Sequence, residues 1–277
     1  MNSSDLHLMI DYLGSSGILL SPEQKAVLQS SLVILKNEQK FNKVVFWGSI
    51  KGTKSDYFVV QGIGADEMTD KKTLYSKDCL KWVILPPPSL EIREKAAFFK
   101  GRFSGDPSNE FEHIEVKQVP GEGDEVHEEQ ETVTIKEEDR LAAVIAEIDN
   151  DVFIVPRAAY IKLPTGQIVS NRSFEGLSVS ESAKRSSYFH FREPVELQKS
   201  SFMDLARLDK AIDFLDSIET DLPEMSWALQ FDRGSSLVIL KSLLWPGYVF
   251  YHVPESRNFG SLYMGYGELN IDLPFML

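Results

Sequence analysis

Residues 236–277, SLVILKSLLWPGYVFYHVPESRNFGSLYMGYGELNIDLPFML, constrain the fold more than any other stretch of the chain. β-Branched and aromatic runs of strand length alternate there with Pro-Gly and Ser-Arg-Asn-Phe-Gly turn signals, which predicts an antiparallel meander. With the segment just before it, the predicted strands cover residues 226–231, 236–244, 248–253 and 259–266. Asp232-Arg233-Gly234-Ser235 is a hairpin candidate. Trp245-Pro246-Gly247-Tyr248 puts Pro and Gly at the two central positions of a type II turn. The run closes on the apolar Leu273-Pro274-Phe275-Met276-Leu277. Termini usually fray in water, so an apolar end predicts that these residues lie in a packed or bound surface.

A second meander is predicted near the amino end. A short helix is expected over residues 5–13. A longer one starts at Ser21 as N-cap, with Pro22 in the first position and Gln24 completing a capping box; Leu28, Leu32 and Leu35 share one face. Strands follow at residues 43–50 and 56–63, joined by a turn around Gly52, and both are apolar on alternate and intervening positions. Such two-sided apolarity predicts strands covered on both faces. Shorter strands are expected at 72–76 and 81–85, before the stop at Pro86-Pro87-Pro88. Residues 119–131 read as a solvated acidic loop. Thr134 and Glu137 suggest a capping box for a helix to about Asp149, with Leu141, Val144, Ile145 and Ile148 as its apolar stripe. A strand from Val152 through Ile161, then helices at 180–187 and 209–218, complete the pattern. The fold class is α+β, with antiparallel strand meanders near both ends and amphipathic helices between them. The chain is one domain over residues 1–277, or two lobes (about 1–118 and 132–277) joined by the acidic loop 119–131.

Charge narrows the partners. The net charge is −13, and residues 110–139 hold 12 acids against Lys117 and Lys136, leaving a nearly neutral body. A polyanionic segment repels phosphate backbones, so no nucleic-acid partner is expected. No apolar run reaches the length of a membrane span and no secretory pattern opens the chain, so a cytosolic protein without a membrane partner is expected. The single Cys79 cannot pair internally, consistent with a reducing compartment.

Reactive constellations are hard to assemble from these residues. Gly48 to Ser55 resembles a P-loop, but three residues separate the glycines and Thr53 stands before Lys54, so a turn is predicted. His7, His113, His127, His190 and His252 show no helical metal-pair spacing, and no metal or other cofactor is expected. His190 lies in Tyr188-Phe189-His190-Phe191-Arg192-Glu193, where alternation puts Tyr188, His190 and Arg192 on one strand face. A base role with Ser186 or Ser187 and Glu193 would make the chain a hydrolase or transferase; a polar strand face at a subunit contact explains the pattern without chemistry.

Several words, in order along the chain, resemble those of the radial spoke head proteins of motile cilia. They include Val45-Phe46-Trp47-Gly48, Lys72-Thr73-Leu74-Tyr75-Ser76, Lys100-Gly101-Arg102-Phe103, Asn171 to Leu177, Ser186 to Leu197, Ser242 to Gly247, Asn258-Phe259-Gly260 and Leu273 to Leu277. The resemblance implies a non-catalytic structural subunit of the spoke head, in the axoneme of cilia and flagella. Implied partners are other spoke head proteins and, through the assembled head, the projections of the central microtubule pair. Trp245, Tyr263, Phe275, Met276 and Leu277 are then the candidate partner-interface anchors.

Overall fold

The computed structural model describes residues 6–120, 126–199, 201–232, 234 and 236–276. Asp5 of the first predicted helix, the tip of the acidic segment (121–125), Arg233 and Ser235 of the predicted hairpin turn, and Leu277 lie outside the described residues. In chain order the strands are β1 (Lys43–Ile50), β2 (Tyr57–Ile63), β3 (Lys71–Ser76), β4 (Val83–Leu85), β5 (Glu110–Pro120), β6 (Val126–Lys136) and β7 (Ile154–Pro156). They continue as β8 (Tyr160–Lys162), β9 (Ile168–Ser170), β10 (Tyr188–His190), β11 (Trp227–Asp232), β12 (Leu237–Ser242), β13 (Tyr248–His252) and β14 (Phe259–Gly265). The longer helices are α1 (Pro22–Glu38), α2 (Leu90–Phe98) and α3 (Glu137–Val152).

One eight-stranded sheet in the order β11-β12-β13-β14-β1-β2-β3-β4 organises the molecule. Every neighbouring pair in it is antiparallel except β1 and β14, which run parallel and pair only over Gly48–Ile50 and Tyr263–Gly265. The two predicted meanders therefore join edge to edge, and the sheet crosses the boundary between the two lobes that the acidic segment suggested.

Two-sided apolarity is explained by two different covers. Val44, Phe46, Phe58, Val60, Leu74, Ile239, Val249, Tyr251 and Leu262 pack under α1 and the amino-terminal turns through Leu28, Leu32 and Leu35. Trp47, Ile50, Tyr57, Val59, Tyr75, Val238, Leu240, Tyr248 and Phe250 pack on the other face against Leu141, Val144, Ile145 and Ile148 of α3. A bulge between Phe46 and Gly48 shifts the alternation, so that Trp47 and Ile50, three residues apart, both face the α3 layer. The α1 capping box forms as the sequence implies: Ser21 Oγ accepts from Gln24 N at 3.1 Å, and Gln24 Oε1 accepts from Ser21 N at 3.0 Å.

Four expectations need correction. The flanks of the acidic loop are paired, β5 with β6, in continuous register from Glu110↔Lys136 to Pro120↔Val126. Acid content hid the β-branched residues Ile114, Val116, Val119, Thr132, Val133 and Thr134 that favour strand. Thr134 belongs to that ladder opposite Glu112, so it cannot cap; Lys136 stands at the start of α3 without a side-chain cap. The helix also runs on to Val152, leaving the next strand to begin at Ile154. Finally, residues 209–218 are not helical. Their carboxylates serve other backbone: Asp216 accepts from the N–H groups of Val195, Glu196 and Leu197 at 2.6–3.2 Å, and Asp213 takes the Arg157 guanidinium at 2.7 and 2.9 Å. Beyond the one turn closed on Asp209 O by Ile212 N and Asp213 N, the main chain there bonds β8 and β10, through Lys162 N to Ala211 O and His190 N to Asp216 O, both at 2.9 Å. Tertiary hydrogen bonds override the apolar stripe at this point. The type II turn stands: Gly247 has φ +109°, and Tyr248 N donates to Trp245 O at 3.1 Å.

Candidate functional site

Four of the five candidate anchors separate into a core pair and a surface pair; the fifth, Leu277, lies outside the described residues. Trp245 and Tyr263 are only 2% and 1% exposed, so neither can anchor a partner. The Trp245 indole donates to Asp151 Oδ2 at 3.0 Å, while Tyr263 packs on Trp47 with ring centroids 5.2 Å apart and accepts from Gly267 N at 2.9 Å. Their apolar faces and single polar tips suit the core beneath α3, where each tip finds a partner. Phe275 and Met276, by contrast, are 89% and 69% exposed on a short closing helical turn, Leu273–Met276. That turn is tied down rather than loose: Leu273 is buried, and Asn270 bonds Leu244 O through its N–H at 2.8 Å and Leu243 O through its side-chain amide at 3.1 Å. Leu243, Leu269 and Ile271 are also exposed beside this anchor. Leu243 N in turn donates to Ser226 O at 2.8 Å, next to the exposed Met225. The result is an apolar surface held on ordered backbone at one end of the sheet.

His190 is not placed with Ser186, Ser187 or Glu193. Its Nε2 lies 2.8 and 2.9 Å from the two carboxylate oxygens of Asp221, which also accepts the Trp227 indole N–H at 2.7 Å. Ser187 Oγ instead donates to Glu181 at 3.2 Å. Tyr188 and His190 both point inward and are buried, which corrects the expectation of a polar strand face at a subunit contact. The arrangement is an internal clamp between β10, β11 and the loop carrying Asp221.

Two inward-turned carboxylates, one buried and one half-buried, hold the layers together. Glu137, fully buried at the start of α3, accepts from Tyr57 OH at 2.7 Å, Gly105 N at 2.7 Å and Ser104 N at 2.9 Å. Burial pushes its carboxyl up, but these donors outweigh that effect and leave it below the ordinary value. Asp149, near the other end of α3, accepts the Trp47 indole at 2.6 Å and the Gln61 amide at 2.5 Å. Burial raises its carboxyl despite these bonds and the nearby Lys71. In sequence Glu137 reads as the capping-box partner of Thr134, first of three acids after Lys136, and no local signal marks it as the one that turns inward. The Gly48 to Ser55 segment holds no phosphate-type loop, since Gly48 is in β1 and Gly52 N is satisfied by Asp56 Oδ1 at 3.2 Å.

Among the described residues no cluster of metal-ligating side chains occurs, and no helix is long and apolar enough to cross a membrane. The comparisons with known proteins are decisive. The family model for radial spokehead-like proteins matches residues 1–165, more than half of the chain. The chain belongs to the radial spokehead-like family. The similarity continues past the matched region: the chain is 49% identical to the radial spoke head protein 9 homolog of Bos taurus over 277 residues, with all of both chains covered. It is also 49% identical, over 100% of both chains, to the homologs of Homo sapiens and of Danio rerio. As a radial spokehead-like chain, it carries its ordered apolar surface and its eight-stranded sheet within a length shared end to end with these relatives.

Proposed function

We propose that this chain is a non-catalytic structural subunit of the radial spoke head in motile cilia and flagella, where it supports head assembly and regular axonemal beating. The observation that carries the reading is the end-to-end 49% identity to radial spoke head protein 9 homologs of three vertebrates. The physical features suit the task. A wide sheet covered on both faces by helices is a rigid scaffold, and its polar interior is spent on internal bonds such as His190 to Asp221 and Tyr57 to Glu137. The exposed Phe275 and Met276 supply anchors for other spoke head proteins, with Leu243, Leu269 and Ile271 widening the contact. Contact with the central pair projections is made by the assembled head, and the chain resides in the axonemal cytoskeleton.

The test is removal and replacement in cells with motile cilia. Loss of the chain should leave spokes without a complete head in electron tomograms and an irregular waveform, both restored by the tagged protein, which itself lines the axoneme. Intact heads and normal beating in cells lacking the chain would overturn the reading.

A further inference from the structure

The β1–β14 junction opens into a crevice. The parallel ladder stops at Gly48 and Tyr263, and the preceding parts of the two strands, residues 43–47 and 259–262, are not paired with each other. Between them lies a cavity of about 380 Å³ whose walls include Phe153, Phe174 and Phe191. In a chain of net charge −13, this cavity is lined by Lys43, Lys71, Arg172 and Arg257 with Glu67 as its carboxylate.

The two inner lysines differ in how they are satisfied. Lys43 sits 3.5 Å from Glu67 Oε2 and near the Tyr160 hydroxyl, so its charge is matched. Lys71 has its ammonium 4.9 Å from the ring centroids of both Phe153 and Phe191, and no hydrogen-bond acceptor among the described residues. Ring faces attract the charge but leave the N–H donors open. The nearby Asp149 does not accept them; its oxygens are taken by Trp47 and Gln61. A cation with free donors, held over two neighbouring phenyl rings and facing a cavity with an arginine rim, is built to receive an acceptor from outside.

We propose that this crevice binds a carboxylate carried on an aromatic or aliphatic stem, the carboxylate on Lys71 and the stem against Phe153, Phe174 and Phe191. Only one inner lysine has open donors, which suits a monoanion better than a phosphate dianion. The aromatic walls reward an apolar body, which inorganic ions lack. Such a group is supplied either by a free small molecule or by an acidic residue beside an apolar one in a partner chain.

Isothermal titration of the purified full chain tests this with 4-phenylbutyrate, 4-phenylbutan-1-ol, inorganic phosphate and the blocked dipeptide acetyl-Phe-Glu-amide. The expected result is saturable binding of 4-phenylbutyrate or the dipeptide at least about tenfold tighter than of the alcohol or phosphate. Tighter binding of the dipeptide assigns the site to a partner chain, and tighter binding of the free acid to a small molecule. Lys71→Met should weaken binding at least about tenfold. The exposed pair Arg172→Gln and Arg257→Gln, which leaves the core untouched, should weaken it several-fold and keeps the test open if Lys71→Met fails to fold. Equal binding of acid and alcohol, unchanged binding in the arginine variant, or no saturable binding at about 10 mM of acid or dipeptide would overturn the proposal.

Discussion

Gly48 lies so close to Tyr263 that a Cβ built on it would stand 1.9 Å from the Tyr263 carbonyl oxygen. With φ +143°, Gly48 also occupies backbone space that L side chains rarely adopt. The contact is one rung of the short parallel ladder that joins the two meanders. Gly48→Ala should therefore cost at least about 2 kcal/mol in urea unfolding, because backbone rather than a flexible side chain must yield. A neutral result would show that the junction can open without loss.

Glu137 ties the start of α3 to β2 through the Tyr57 hydroxyl and to the backbone at Ser104 and Gly105. Glu137→Gln retains the shape but removes the charge, and should cost about 2 kcal/mol. A double-mutant cycle with Tyr57→Phe should return a coupling of about 1 kcal/mol, since the two groups share one bond. The folded carboxyl titrates below its ordinary value of 4.5, so its contribution is present above that pH and lost as pH falls through the folded value.

His252 predicts a second loss of stability in acid, of the same sign but from a different cause. It is buried, its Nε2 accepts Leu177 N–H at 3.2 Å, and burial pushes its pKa down from 6.5 to about 4. Between those values the unfolded chain binds the proton more readily, so stability rises with pH and is complete above the unfolded value. The difference amounts to about 3 kcal/mol across the window. The urea midpoint of the chain, compared with that of His252→Gln, should show this added slope between pH 4 and 6.5 and should lose it in the variant.

Phe275→Ser with Met276→Ser should leave the melting temperature of the isolated chain within about 2 °C, because both side chains are already in water. The same variant should fail to co-purify with the other spoke head proteins of ciliated cells that the proposed function makes its partners. An earlier melt would place these residues in the chain's own core, and unimpaired co-purification would remove them from the interface.

The strands were the most legible part of the sequence, because alternation and turn residues are local. β1, β2, β12, β13 and β14 lie within a residue or two of their predicted bounds, and the Pro246-Gly247 turn has the predicted type. What local pattern could not show was long-range. Thr134 has all the marks of an N-cap, yet a strand partner at Glu112 claims it. Residues 209–218 carry a helical stripe, yet Asp213 and Asp216 are drawn to Arg157 and to the backbone of Val195 to Leu197. Trp245 and Tyr263 were read as surface anchors because aromatic residues suit both interfaces and cores, and only the position of α3 decides between them. The crevice was invisible for the same reason: Lys71 of β3 and Phe153 after α3 are far apart in the chain and meet only through the tertiary fold.

That joining has a consequence for synthesis. Gly48 waits for Tyr263, so the two meanders stay unjoined until β14 has left the ribosome. During that interval β1 exposes the edge that β14 will occupy, with Val44 and Phe46 uncovered on one face and Trp47 on the other until their layers assemble. An unpaired apolar strand edge is a template for wrong pairing with other chains. Late truncations of this protein should thus be lost to aggregation or degradation before assembly, even when they spare every residue of the first meander.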